Sequence, residues 1–152
     1  MRRLGLLCCT AVLVACAKKE ATPAADTTAA APPAPPMLMA ADVAGKWHVK
    51  VMGETSDSVL TEYDMTATAA DTGWKVMLPN RPAMTPTVMF SGDSVTTDMG
   101  PFESVLRKGV QVTTHGVFRM QNGELVGMTT AHYAVKSGDS VVMLRARGSR
   151  TP

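Results

Sequence analysis

Large rings are scarce in this chain: 3 Phe, 2 Trp and 2 Tyr in 152 residues, against 12 Met, 12 Gly and 10 Pro. Charged residues make up only 18% and hydrophobic ones 45%, which excludes a disordered polyelectrolyte, a collagen and a multi-span membrane protein. The length allows one domain. An excess of either charge is missing as well. The formal +2 includes Arg2 and Arg3, which lie in a segment expected to be removed, and 15 − 2 leaves 13 basic residues against 13 acidic ones. A neutral chain has no electrostatic case for binding nucleic acid. Catalytic signatures are absent: there is no Gly-x-Ser-x-Gly, no His-Glu-x-x-His and no phosphate loop. We therefore expect no enzyme and no cofactor.

Cysteine occurs only as Cys8, Cys9 and Cys16. Arg2-Arg3 is followed by twelve mostly apolar residues, Leu4 to Ala15, which as helix span about 18 Å, short of a hydrocarbon core of about 30 Å. That pattern is a signal-peptide core. It ends in Leu13-Val14-Ala15-Cys16, which resembles the lipobox of bacterial lipoproteins. The resemblance implies cleavage of residues 1–15 and lipidation of Cys16, whose acyl chains would hold the protein to the membrane at about 0.8 kcal/mol per buried methylene. Ala17-Lys18 lacks the Asp that retains many lipoproteins in the inner membrane, so the resemblance points to the outer membrane of a bacterial cell envelope, facing the periplasm. With Cys8 and Cys9 gone and Cys16 alkylated, no disulfide can form, and the fold must stand on its core alone.

Residues 16–42 follow as the lipidated Cys16 and a linker. Ala17 to Asp42 holds ten Ala, five Pro and three Thr in 26 residues, including Pro32-Pro33-Ala34-Pro35-Pro36. Such a segment is expected to be a disordered, semi-stiff spacer reaching up to about 80 Å when extended. Met37-Leu38-Met39 either packs on the domain or marks its boundary.

Residues 43–152 read as short strands between turn signals. In Gly45–Met52, Trp47, Val49 and Val51 alternate with His48, Lys50 and Met52. Val59–Ala67 puts Val59, Thr61, Tyr63 and Met65 on one face, and a third strand offers Trp74, Val76 and Leu78. A proline-laden loop, Pro79 to Pro86, precedes Thr87–Ser91 and Ser94–Met99. Gly100–Gly109 breaks the alternation, as a loop or a single helical turn. Asn122-Gly123 between Val110–Met120 and Glu124–Val135 is a strong type I′ hairpin signal, because both residues tolerate positive φ. Its two-residue loop places Val110 opposite Val135, Val112 opposite Tyr133, Thr114 opposite Ala131, Phe118 opposite Gly127 and Met120 opposite Leu125. The last strand, Ser140–Arg147, admits either parity: Val142, Leu144 and Ala146 inward, or Val141, Met143 and Arg145. Asp-Ser-Val recurs at residues 57–59, 93–95 and 139–141, a reused turn that opens a strand. Eight strands without a long crossover predict an all-β, antiparallel up-and-down barrel.

Gly45-Lys46-Trp47 opens the first strand, and Arg145 and Arg147 sit in the last. In this the domain resembles the lipocalin-like (calycin) barrel, in which a Gly-x-Trp packs beneath the barrel and a late arginine lies across the indole. The resemblance implies that Gly45, Trp47 and either Arg145 or Arg147 close one end. The domain is shorter than ordinary lipocalins and has neither their Thr-Asp-Tyr segment nor a C-terminal helix.

An eight-stranded interior is either filled or holds one small ligand. Thr61, Tyr63, Thr114, Thr129 and Tyr133 would supply sparse hydroxyls to an apolar wall, the make-up of a small-molecule pocket. The competing expectation is that methionines plug the space. Arg81, Glu103, Arg107 and Lys108 are expected around an open end. His115 and His132 become diagonal neighbours on the outer face, too few ligands for zinc, so no metal site is expected. Val117, Val126 and Met128, with Arg119, form an outward stripe that a partner, a second copy or the Met37–Met39 segment would cover. The function expected is a lipid-anchored, non-enzymatic protein binding a small apolar ligand; the alternative is a structural or interaction module with a filled barrel and an envelope protein partner.

Overall fold

The computed structural model describes residues 36–136 and 139–152. The expected signal segment, Cys16 and the linker up to residue 35 lie outside the described residues. Eight strands follow one another: β1 (Gly45–Gly53), β2 (Val59–Ala67), β3 (Lys75–Met77), β4 (Thr87–Ser91), β5 (Ser94–Glu103), β6 (Gln111–Gln121), β7 (Glu124–Tyr133) and β8 (Val141–Arg150). A one-turn helix, α1 (Ala40–Val43), precedes them. Among the described residues no helix is long and apolar enough to cross a membrane.

The strands form one antiparallel sheet in the order β3-β2-β1-β8-β7-β6-β5-β4. This is an all-β up-and-down meander curled into a half-barrel. The first and last strands pair from Trp47 opposite Arg150 to Gly53 opposite Leu144, so the seam does not fall at the chain ends. It falls between β3 and β4, where no ladder forms and a single bridge joins Val76 to Met84. The loop there carries Pro79, Pro82 and Pro86, each without an amide to donate, so pairing cannot propagate.

Alternation decides what is buried. Trp47, Val49 and Val51 on β1, Met65 and Ala67 on β2, Val95 and Thr97 on β5, and Val112 and Phe118 on β6 all turn inward. The β6–β7 register is as expected from Val112 opposite Tyr133 through Met120 opposite Leu125; the Val110 and Val135 pair lies beyond the ladder's end. Asn122 and Gly123 take φ of 53° and 82°, as the type I′ turn requires. The break expected at Gly100 is a bulge: β5 shifts register between Met99 and Phe102 and then runs on to Glu103. Gly100 itself sits at φ 115°, and a Cβ there would lie 2.7 Å from the Val112 carbonyl. Beyond it the Ser104 hydroxyl accepts from the amides of Leu106 and Arg107, both at 3.0 Å, so Ser104–Gly109 is a loop.

Strand direction sorts the connections into two ends. The β2–β3, β4–β5 and β6–β7 turns share one end with the N-terminal segment and the last residue of β8. The other four connections, of which residues 54–58, 78–86, 104–110, 134–136 and 139–140 are described, surround the mouth.

The domain begins before residue 43. Leu38 is in the core and its amide donates to the Gly92 carbonyl at 2.8 Å, while Val43 is fully buried. Trp47 and Trp74 are fully buried too, and each indole N–H donates at 2.8 Å to the carbonyl four residues earlier, of Val43 and Ala70. An indole buries roughly 150–250 Å², on the order of 4–6 kcal/mol of transfer free energy each. Both indoles are thus at one end.

Candidate functional site

The interior divides into two apolar clusters. Trp47, Trp74, Val49, Val76, Leu125 and their neighbours pack the turn end, and Val51, Val112, Ala131, Tyr133 and Leu144 pack the half nearer the mouth. Between the second cluster and the loops lies a cavity of about 70 Å³. All five hydroxyl residues expected at a pocket border it: Thr61 and Tyr63 from β2, Thr114 from β6, Thr129 and Tyr133 from β7. They converge because each shares the inward parity of its strand. Thr97 and Ser104, both buried, also line it and were not expected. Burial pushes the Tyr63 phenol above its ordinary pKa.

Size restricts what this cavity can take. A water's share of liquid is about 30 Å³, and drug-sized ligands occupy roughly 300–1,000 Å³. Phe118 and Phe102 border the cavity, and Met99 is the one methionine at its wall. Two glycines make room for Phe118: a Cβ on Gly116 would lie 2.5 Å from its Cε2, and one on Gly127 would lie 2.7 Å from its Cδ1. Of the nine methionines from Val43 onward, Met65 is buried and Met84, Met99 and Met120 pack on the core, whereas Met77, Met89 and Met143 are exposed.

The mouth is apolar at its rim, and Arg107 ties two of its loops together. Val59, Leu60, Val105 and Leu106 are exposed there. The Arg107 guanidinium lies 4.1 Å from the Tyr133 ring centre and donates to the Asp139 carbonyl at 2.8 Å. It thereby ties the β5–β6 loop to the β7–β8 loop. Glu103 accepts from the Gly109 amide at 2.9 Å, which shapes the same loop; Arg81 and Lys108 lie in mouth loops as expected.

The opposite end is closed by Gly45, Trp47 and Arg150. The arginine across the indole is neither Arg145 nor Arg147. Leu144, Ala146 and Gly148 are the buried positions of β8, so odd-numbered residues face outward and Val141 and Met143 are exposed. Arg150 has the inward parity, pairs with Trp47 and places its guanidinium 4.4 Å from the ring centre. It also donates to the carbonyls of Asp42 and Ala44, tying the entering chain to the leaving one. Gly45 has φ 140°, and a Cβ there would sit 2.6 Å from Arg150 Nη1. Arg145 instead donates to the carbonyls of Gly53 and Ser56 and to Asp57, and Arg147 lies 3.7 Å from Glu124.

On the outer face, Val117, Val126 and Met128 join Met52, Arg119, Arg145 and Arg147 around a groove of about 590 Å³. The Met37–Met39 segment does not cover it: Leu38 enters the core, and Met37 and Met39 point to solvent. Two of the three histidines, His48 and His115, have acidic partners that the sequence did not signal. His48 stands between Asp64 at 2.9 Å and Glu62 at 3.2 Å, and His115 Nδ1 lies 2.7 Å from Asp98. The Asp64 hydrogen bond is the main cause of a raised His48 pKa, helped by Glu62 and opposed by partial burial. His115 and His132 border one shallow depression as diagonal neighbours. Among the described residues no group of three or more His, Cys, Asp or Glu is placed to hold a metal ion.

Fold and cavity together define an all-β half-barrel with one packed end and one small interior cup. No family model matches the chain, and neither does a curated protein or a solved structure.

Proposed function

We propose that the chain is a non-enzymatic bacterial lipoprotein, lipid-anchored through Cys16 in the cell envelope, whose lipocalin-like barrel takes a small apolar group through its mouth. The observation that carries this is the convergence of Thr61, Tyr63, Thr114, Thr129 and Tyr133 on a single cup in an apolar wall. The cup admits only a compact molecule or the tip of a longer one, its remainder resting on the apolar rim. The described chain enters at the closed end, opposite the mouth. The lipobox-like sequence supports the anchor, and the Ala17-Lys18 pair favours the outer membrane.

Native mass spectrometry of the purified full chain after incubation with a lipid extract is expected to show retained small adducts. Ala131→Leu, which fills the cup, should abolish them, and adducts that survive this change lie elsewhere. A bare mass under every condition overturns the binding role. Cys16→Ser should release the chain from membranes, and unchanged fractionation would refute lipidation.

The outer groove favours a second reading, an interaction module for an envelope protein. A photo-cross-linker at Val117 or Met128 should then give one defined protein adduct in the envelope.

A further inference from the structure

The half-barrel has two free edges, and they are not alike. β3 is three residues long, begins with Lys75, and its Val76 exchanges amide and carbonyl with Met84 at 2.8 Å each way. β4 is Thr87-Val88-Met89-Phe90-Ser91, five residues without charge, proline or bulge. Soluble sheets blunt their edges with those devices, because a bare edge is a template for another strand. Among the described residues no backbone hydrogen bond reaches β4 from the side away from β5.

The ladder to β5 says which groups are bare. The two-residue Gly92–Asp93 turn makes Ser91 and Ser94 its closing hydrogen-bonded pair. Alternation then turns the amides and carbonyls of Thr87, Met89 and Ser91 toward β5 and leaves those of Val88 and Phe90 on the open side. An extended backbone matches that spacing, so the natural occupant is a β-strand. The edge is also self-complementary. About Met89 it reads hydroxyl, apolar, methionine, apolar, hydroxyl, so its reverse presents the same chemistry, and no like charges meet.

We propose that β4 pairs antiparallel with β4 of a second copy of this chain, about a two-fold axis at Met89. Val88 then exchanges hydrogen bonds with Phe90 of the second copy, Thr87 lies opposite Ser91, and the two Met89 side chains, now 61% exposed, cover each other. One short edge buries far less than the roughly 1,200–2,000 Å² of a stable complex, so the dimer is weak and forms at high concentration. The described N-terminal residues reach the β4–β5 turn at Gly92 but make no backbone hydrogen bond to β4 itself, and they lie by Asp93, Arg119 and Met120 on the β5–β6 side.

The test uses the full chain with Cys8, Cys9 and Cys16 changed to Ser. Sedimentation up to millimolar concentration should show a monomer–dimer equilibrium that Met89→Lys weakens about ten-fold or more, because it sets like charges directly opposite each other. Met89→Cys should form an interchain disulfide on mild oxidation, since non-hydrogen-bonded pairs bring Cα atoms to about 4.5 Å. Thr87→Cys should cross-link when mixed with Ser91→Cys but not with itself. Met143→Cys, exposed on β8, should remain uncross-linked. Monomer at every concentration, cross-linking at Met143 equal to that at Met89, or a dimer indifferent to Met89→Lys would each overturn the proposal. All of these positions are exposed, and an unchanged thermal transition confirms that each variant folds.

Discussion

At the closed end two indoles, Trp47 and Trp74, are buried without residue and back-bonded to their own chain, whereas at the mouth Tyr63 and Tyr133 border a cavity of about 70 Å³ beside buried hydroxyls. The same strands run through both regions, so the difference lies in side chains, not in backbone. One end commits its rings to packing. The other keeps space and polar atoms that packing alone does not require. With no disulfide among the described residues and a seam between β3 and β4, the closed end must supply most of the stability, and the mouth is left free to vary.

Truncation at the two ends should separate those roles. Trp47→Ala removes a fully buried ring and its bond to the Val43 carbonyl, and should cost about 3–5 kcal/mol in chemical denaturation. Arg107→Ala, which frees the mouth loops from Tyr133 and Asp139, should cost about 1 kcal/mol or less. Equal losses would mean that the mouth is a structural element like the other end. Gly127→Ala comes next. Its methyl meets the Val117 carbonyl and the Phe118 ring, a clash in the range of about 1–3 kcal/mol, and a shifted ring should reshape the cup as well.

How much of this could be read beforehand depended on how local the cause was. The β6–β7 register followed from Asn122-Gly123, because a two-residue loop leaves the strands no freedom to slip, and the five cup hydroxyls followed from parity within single strands. The parity of β8 did not. Val141, Met143 and Val142, Leu144 are equally apolar pairs, and the choice between them is made by pairing with β1, almost a hundred residues away. Arg150 is hidden for a related reason: the apolar alternation of the last strand ends at Ala146, so nothing local extends the strand to the true partner of Trp47. The seam was half legible, since the prolines of residues 79–86 announce a break in pairing but not that β1 and β8 would meet instead. The acidic partners of His48 depend on the β1–β2 register, which slips between Val51 and Met52 at a bulge that no residue pattern signals.

Arginine substitutions sharpen the closed end further. Arg150→Met should lose the stacking on Trp47 and the tie to the entering chain, about 0.5–2 kcal/mol by thermal or chemical melting. Arg147→Met, on the outward face beside Glu124, should stay within about 0.5 kcal/mol. The reverse order would restore Arg147 to the position across the indole.

The smallest effect belongs to the outer face of β1 and β2, midway between the two ends. Asp64 and Glu62 favour the imidazolium of His48, so its folded pKa lies above the ordinary value of about 6.5. A proton held more tightly in the folded state stabilises that state while both states are protonated. The contribution is therefore complete below about pH 6.5 and is lost as pH rises through the folded pKa. Because the side chain is about one-third exposed and both carboxylates are more so, solvent screens the pair and the change stays small. Stability measured by denaturant titration should decline between pH 6 and 8 in the native chain and more weakly in His48→Gln, with the difference shrinking at high salt. An identical decline in both would assign the pH dependence to other groups and leave His48 a bystander on a neutral face.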